Sequence, residues 1–348
     1  AKMFSIPRLM IAAPHSGAGK TTVTLALLMA LRKRGASPAA FKCGPDYIDP
    51  MFHREALGIP SHNLDRFLAS EDTVRGLLCA HAPGHGIAVI EGVMGYYDGL
   101  GATARASSHE LAQATQTPVL LVVSTKGASL SLAALIKGFA GFKKPSQIAG
   151  VILNECPEKL FIRLKETLES ETGLPLFGYL PRLPECGIQS RHLGLVTAAE
   201  IEGLKKKLAL LCAQAEQSID IDALLNLARS ARPLQGRLPD IRPVAQNRPC
   251  IAVAQDAAFC FYYTDNLALL EHLGAQIAPF SPLQDAVLPP NAAALYLGGG
   301  YPELYAKALS ENRSMREAIR KAVGRGMPTL AECGGFLYLH DTLEDGGG

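Results

Sequence analysis

Short apolar runs alternate with longer stretches of helical period through the first half of the chain. The runs Leu9–Ala13, Ala39–Cys43, Ile87–Glu91, Val119–Ser124 and Ile148–Asn154 predict strands. Between the first two, Thr21–Arg34 carries apolar residues at helical spacing, ends in Arg-Lys-Arg and is followed by Gly35. Basic residues suit a helix C-terminus, and glycine suits its cap. Repeated strand–helix alternation predicts an α/β fold: a doubly wound, mostly parallel sheet covered on both faces. Ser190–Ala231 reads as mainly helical. Arg232–Pro249 holds Pro233, Gly236, Pro239, Pro243 and Pro249, which resist helix and central strand alike, so it reads as a linker. A second alternating set follows: Ile251–Gln255, Ile277–Phe280, Ala293–Leu297 and Thr329–Glu332. The expected organisation is a first α/β domain over 1–231, a linker over 232–249 and a second α/β domain over 250–348. The second set stops soon after Cys333–Leu339, so the chain is expected to be truncated or to lack its tail. No internal repeat of solenoid length is present.

Composition adds mainly exclusions. With 348 residues and 48% hydrophobic content the chain can build two cores, and it does not read as disordered. A net charge of +2 gives no bulk polarity toward nucleic acid or an anionic membrane surface. No apolar run is long enough to cross a bilayer, and Lys2–Arg8 leads straight into a strand rather than forming a secretory signal. The expectation is a cytoplasmic chain with neither nucleic acid nor membrane as partner. Eight cysteines without a C-x-x-C pair argue against a structural zinc site. Cys43 and Cys79 read as core.

The strongest chemical signal is Ala13-Pro-His-Ser-Gly-Ala-Gly-Lys-Thr-Thr22, which follows a strand and opens a helix. That is the context of a phosphate-binding P-loop, in which backbone N–H groups and a helix N-terminus converge on phosphate oxygens. His15, Ser16, Gly17, Ala18, Gly19, Lys20, Thr21 and Thr22 are the candidate nucleotide contacts. Lys20 would bridge terminal phosphates, and Thr21 would offer its hydroxyl to Mg²⁺. The full pattern wants glycine at position 14, where this chain has Pro14.

A nucleotide site also needs carboxylates to hold its metal. Two clusters follow strands: Lys42-Cys-Gly-Pro-Asp-Tyr-Ile-Asp-Pro50 and Ile90-Glu-Gly-Val-Met-Gly-Tyr-Tyr-Asp-Gly99. Ligands of open α/β sheets bind outside the carboxyl ends of the strands, so Asp46, Asp49, Glu91 and Asp98 are expected to converge on the P-loop. Asp46 and Asp49 equally suit a proline-bounded turn. Glu91 carries the sharper signal, because a carboxylate ending an apolar strand is costly to bury unless it meets a cation. Lys42, Arg54, Arg66, Arg105 and Lys126 are candidate contacts for an acidic substrate, with solvated surface the expected fate of each.

Pro45-Asp-Tyr-Ile-Asp-Pro50, Glu91-Gly-Val-Met-Gly95, Tyr97-Asp-Gly99 and Arg191-His-Leu-Gly-Leu195 together resemble the cobyrinate a,c-diamide synthase family, over nearly the whole chain. The N-terminal half is also similar to dethiobiotin synthetase and the partition-type ATPases. The resemblance implies ATP- and Mg²⁺-dependent amidation of two side-chain carboxylates of cobyrinate, a corrin precursor, through acyl phosphates, with glutamine or ammonia as nitrogen source. It implies Thr21, Asp46 and Glu91 as metal ligands, with Asp49 and Asp98 positioning substrate or its activated intermediate alongside Glu91. It also implies Asn154 as an adenine-reading amide; a strand-end asparagine suits a turn cap equally well. Related readings are the same chemistry on hydrogenobyrinate or Ni-sirohydrochlorin. A reading from another class is a partition-type ATPase switch. A homodimer fits either.

Leu297-Gly-Gly-Gly-Tyr-Pro-Glu303 and Ala331-Glu-Cys-Gly-Gly335 match the pattern of class I glutamine amidotransferases. Cys333 is expected at a strand-to-helix elbow as the nucleophile, with backbone N–H groups near Gly299–Gly300 and after Cys333 forming an oxyanion hole. Only His340 follows Cys333, too close along the chain to serve as its base, so the base is not identifiable in this chain.

Overall fold

The computed structural model describes residues 3–186, 198–244 and 247–343, which fall into two compact units dividing between Pro239 and Asp240. In the first unit the chain runs β1 (Met3–Phe4), β2 (Arg8–Ala12), α1 (Lys20–Lys33), β3 (Pro38–Cys43), α2 (Ile48–Glu55), β4 (Ser61–Leu64) and α3 (Glu71–His81). It continues with β5 (Ile87–Glu91), α4 (Ser108–Thr115), β6 (Val119–Ser124), α5 (Ser131–Phe142), β7 (Ile148–Asn154), α6 (Glu158–Thr172) and β8 (Leu176–Tyr179). Helices α7 (Ala198–Ser218) and α8 (Ile221–Arg229) and strand β9 (Leu234–Gln235) complete it.

Among the described residues, seven strands form one sheet in the order β4-β3-β5-β2-β6-β7-β8, every neighbouring pair parallel. The inner strands β2, β3 and β5 are buried along their whole length, as strands covered on both faces must be. Because β2 lies between β5 and β6, the loop after β2 opens at the centre of the sheet's carboxyl edge, where chain order reverses.

Two edge strands were not expected from the pattern. β4 reads Ser-His-Asn-Leu and β8 Leu-Phe-Gly-Tyr. Each is four residues long, and an edge strand needs no continuous apolar run. The proline-rich 232–239 is built into this unit rather than left as free linker. There β9 pairs antiparallel with β1. The Arg8 guanidinium, fully buried, donates to the carbonyls of Ile6, Thr115, Gln116 and Arg232. Burial pushes its pKa down to about 10. Arg191–Leu195 lies outside the described residues.

The second unit carries β10 (Cys250–Ala254), β11 (Phe259–Phe261), α9 (Thr264–His272), β12 (Gln276–Phe280), β13 (Ala292–Leu297) and β14 (Gly299–Gly300). After these come α10 (Ala306–Glu311), α11 (Arg313–Gly324), β15 (Thr329–Ala331) and α12 (Gly334–Tyr338). Its parallel sheet runs β12-β10-β13-β15, beside an antiparallel β11–β14 ribbon. Its core is built from Ala252, Ala254, Phe259, Phe280, Leu295, Leu297, Met315 and Ile319. Among the described residues, no helix is long and apolar enough to cross a membrane.

Candidate active site

The loop between β2 and α1 turns on two glycines, Gly17 at φ +81° and Gly19 at φ +102°. Side chains rarely take such values. At Gly19 the space is closed as well: a Cβ there would stand 1.9 Å from Asn154 Nδ2. That amide donates to the Ala18 carbonyl at 3.1 Å, so the end of β7 supports the loop from behind. Position 14 is not among the positive-φ sites, which is why proline serves where the usual pattern has glycine. The close approach is made from the opposite side: a Cβ on Gly95 would meet the Pro14 carbonyl at 2.5 Å. Tyr96 N–H donates to the Ala13 carbonyl, so the segment after β5 is laid against the loop. Lys20 Nζ donates to the Met94 carbonyl at 2.6 Å and to the His15 carbonyl at 3.5 Å. Burial, then Lys42, lower its pKa, while Glu91, Asp98 and Asp49 oppose the shift. His15, Ser16 and Gly17 are exposed along the loop.

Beside the loop lies a buried charge cluster. The Thr21 hydroxyl donates to Glu91 Oε1 at 2.8 Å. Lys42 Nζ reaches the same oxygen at 3.1 Å, Asp49 Oδ2 at 2.6 Å and Asp46 Oδ2 at 3.6 Å. Burial alone would depress the Lys42 pKa, but Glu91, Asp49 and Asp46 outweigh it and hold the ammonium above its ordinary value. Asp46 spends its Oδ1 on the N–H groups of Ile48 and Asp49, starting α2, and its carboxyl is raised by burial and by Asp49. Asp98 Oδ2 accepts from Gly95 N–H at 3.0 Å and closes the turn against Pro14. Glu91 Oε2 is buried and has no hydrogen-bond partner. The Thr21 hydroxyl and Glu91 Oε1 are hard oxygens beside the P-loop lysine, a donor set that fits a small divalent cation.

Lys20, Thr21, Asp46, Asp49, Glu91 and Asp98 therefore gather at one end of the sheet, with Asn154 reaching the loop from its far side. Thr22 continues α1. One expectation fails: Lys42 is not solvated surface but 4% exposed, at the centre of three carboxylates. Arg105 and Lys126 are exposed, as expected; Arg54 donates to the Ser61 carbonyl and Arg66 pairs with Glu110. The signal for Lys42 was present, since a lysine inside the apolar strand Pro-Ala-Ala-Phe-Lys-Cys needs a counter-charge as much as Glu91 does. His53 also escaped notice. Its ring is buried, with Nδ1 3.0 Å from Ser61 Oγ and Nε2 3.9 Å from Glu91 Oε2. Burial pushes its pKa down to about 4. Cys43 and Cys79 are buried, and the Cys43 thiol is pushed up to about 11 by burial.

In the second unit Cys333 stands exposed between β15 and α12 with φ +48° and ψ −113°. That is a strained turn for any residue with a side chain. Three glycines let the elbow form. A Cβ on Gly335 would meet the Leu297 carbonyl at 2.0 Å, one on Gly334 would meet Gly300 N at 3.2 Å, and one on Gly299 would meet Cys333 Cβ at 3.3 Å. The Gly299–Gly300 backbone is thus held against the cysteine. Tyr262 OH accepts from Gly298 N–H at 2.8 Å and donates to the Ala254 carbonyl, fixing the start of that segment. His340 Nδ1 lies 2.9 Å from the Phe336 carbonyl.

A central glycine-rich loop feeding a helix, on a parallel sheet, defines a P-loop nucleotide-binding unit, and the cysteine elbow marks a second unit of glutamine amidotransferase type. Comparison with known proteins agrees on both. Residues 9–195 match the CobQ/CobB/MinD/ParA nucleotide binding domain, and residues 250–348 match the CobB/CobQ-like glutamine amidotransferase domain. Cobyrinate a,c-diamide synthase of Listeria innocua is 44% identical over 340 residues, covering 97% of this chain and 75% of that protein. The enzymes of that name from Caldanaerobacter subterraneus and Thermoplasma volcanium are 43% and 41% identical, with 97% of this chain and 74% of each relative covered. The chain belongs to the cobyrinate a,c-diamide synthase family, and spans about three quarters of the length of these relatives.

Proposed function

We propose that the first unit binds ATP with Mg²⁺ and activates the a and c side-chain carboxylates of cobyrinate as acyl phosphates, and that the second unit releases the ammonia that amidates them from glutamine. The observation that carries this reading is the unbroken chain Thr21–Glu91–Lys42–Asp49 beside the P-loop. It gathers oxygen ligands and a second buried cation beside the P-loop, which supports reading that spot as the terminal-phosphate site.

A carboxylate resists ammonia because its oxygen is a poor leaving group. In the proposed step a substrate carboxylate oxygen attacks the γ-phosphorus and ADP leaves. Ammonia then attacks the acyl carbon, and inorganic phosphate leaves. Two anions must approach for the first step, so the protein's work is positioning and charge neutralisation. Lys20 would exchange the Met94 carbonyl for phosphate oxygens. Lys42, already desolvated, would share its charge between Asp49 and the transferred group. Thr21 and Glu91, with Asp46, would hold Mg²⁺, which shields the phosphate charge when bound. Asp98 and Asp49 would fix the substrate side, and Asn154 the loop and the base. The Cys333 sulfur would attack the glutamine carboxamide, expelling ammonia and leaving a thioester for water to cleave.

The test is ATP hydrolysis with Mg²⁺ and ammonium chloride, with and without cobyrinate, followed by product mass. Stepwise replacement of hydroxyl by amino groups, coupled to ATP use and lost in Glu91→Gln, is the expected result. ATP turnover indifferent to cobyrinate, hydrogenobyrinate and Ni-sirohydrochlorin alike would overturn the reading in favour of a nucleotide switch.

A further inference from the structure

We infer that His53 is a positioning residue for phosphoryl transfer, its Nε2–H holding the inner oxygen of Glu91 while the outer oxygen serves Thr21 and Lys42. The inference rests on the proposed phosphoryl transfer. Asp49 and His53 are four residues apart on α2 and so share one face of that helix. Asp49 meets Lys42 from this face, and His53 meets Glu91. Both contacts end on the same buried cluster.

Three features fix what the imidazole does. It is 1% exposed, so no water shell decides its hydrogen bonds. Its Nδ1 lies 3.0 Å from Ser61 Oγ, on β4, a hydroxyl that can donate to it. Its Nε2 lies 3.9 Å from Glu91 Oε2, and that oxygen is fully buried with no hydrogen-bond partner. If Nδ1 carried the proton, two lone pairs would face each other in a buried space. With the Ser61 hydroxyl donating to Nδ1, the proton sits on Nε2 and faces the carboxylate. A movement of about 1 Å then brings the pair to hydrogen-bond distance. Glu91 needs that hold during the reaction. Its Oε1 depends on Thr21 and Lys42, and both of these turn toward phosphate, cation or substrate when the site fills. A carboxylate held by one oxygen can swing; held by both, it keeps its plane. Partners of this kind, one step removed from the reacting groups, are worth about 10–100-fold in activity.

The experiment joins kinetics of the full chain with ¹⁵N spectra of the His53 ring in the unliganded protein. His53→Leu should lower kcat for ammonia-dependent amidation about 10–100-fold while the KM for ATP stays near wild type. His53→Gln, whose amide N–H can reach the same oxygen, should recover most of that loss. The spectra should show Nε2 protonated and Nδ1 bare, with Ser61→Ala weakening that preference. An Nδ1-protonated ring, or equal kcat losses in the Leu and Gln variants accompanied by equal falls in Tm, would overturn the inference and leave His53 as a packing residue. A wild-type chain with no ATP-dependent amidation would instead remove the proposed function, and the tautomer measurement would still judge the contact with Glu91.

Discussion

Lys42→Met tests the charge cluster most directly, because methionine keeps the side chain's length and removes only the ammonium. Lys42 Nζ lies 2.6 Å from Asp49 and 3.1 Å from Glu91, and the three side chains are 5%, 9% and 0% exposed. Deleting one partner of a buried ion pair strands the other charge, at a cost of about 3–5 kcal/mol. For a unit of this size, roughly 2–4 °C per kcal/mol converts that into a fall of about 6–20 °C in Tm. The assay is thermal unfolding of the full chain, taking the transition of the first unit. Adding Glu91→Gln should restore most of the loss, since it removes the carboxylate that water cannot reach. The pH dependence follows from the sign of the linkage. The Lys42 ammonium is held above its ordinary value, so its stabilising contribution is fully present below about pH 10 and disappears only at higher pH. Between pH 5 and 7 the wild-type contribution from Lys42 should therefore be flat. A Lys42→Met Tm within about 2 °C of wild type at neutral pH would refute the ion-pair account, because the cluster would then be hydrated rather than buried.

Gly19→Ala should weaken ATP binding by at least about tenfold, since the φ of +102° alone costs about 1–3 kcal/mol for a residue with a side chain and the new Cβ displaces Asn154; calorimetric titration with ATP reads it, and unchanged affinity would sink the account of the loop. Cys333→Gly should leave the ammonia-dependent rate intact, because that reaction does not pass through the thiol, while any glutamine-dependent amidation is lost. The same variant should stabilise the second unit by about 1 kcal/mol, because glycine accepts φ +48° and ψ −113° without strain; a lower Tm for that unit would contradict the strained elbow.

The inner strands were legible because period decides them. Ile87–Glu91, Val119–Ser124 and Ile148–Asn154 form with the expected bounds, each an apolar run that two helical layers must cover. Helix α1 begins one residue earlier than expected, at Lys20, the P-loop lysine itself. The edge strands β4 and β8 were not legible, because one open side relaxes the demand for apolar residues, and Ser-His-Asn-Leu has the composition of a loop. Nor was the fate of 232–239 legible: Pro233, Gly236 and Pro239 argue for a linker, and only the fully buried Arg8, some two hundred residues earlier, shows why the chain is held there.

The site divides along the same line. Residues that act through backbone geometry announce themselves locally, as Gly17, Gly19 and the Cys333 elbow do. Residues that act through charge announce themselves only as partners of something else. Glu91 was conspicuous because an apolar strand ends in a carboxylate, yet the same strand logic applied to Phe41-Lys42-Cys43 demands an anion for Lys42, and the two strands are neighbours in the sheet, with Lys42 opposite Glu91 in register. Two unlike charges, each intolerable alone at the carboxyl end of a buried strand, are each other's explanation once the strands are paired. Pairing also accounts for His53: a cluster with three carboxylates and one lysine leaves an oxygen over, and a neutral donor on the adjoining helix face is the group that can approach that oxygen without bringing a further charge into the core.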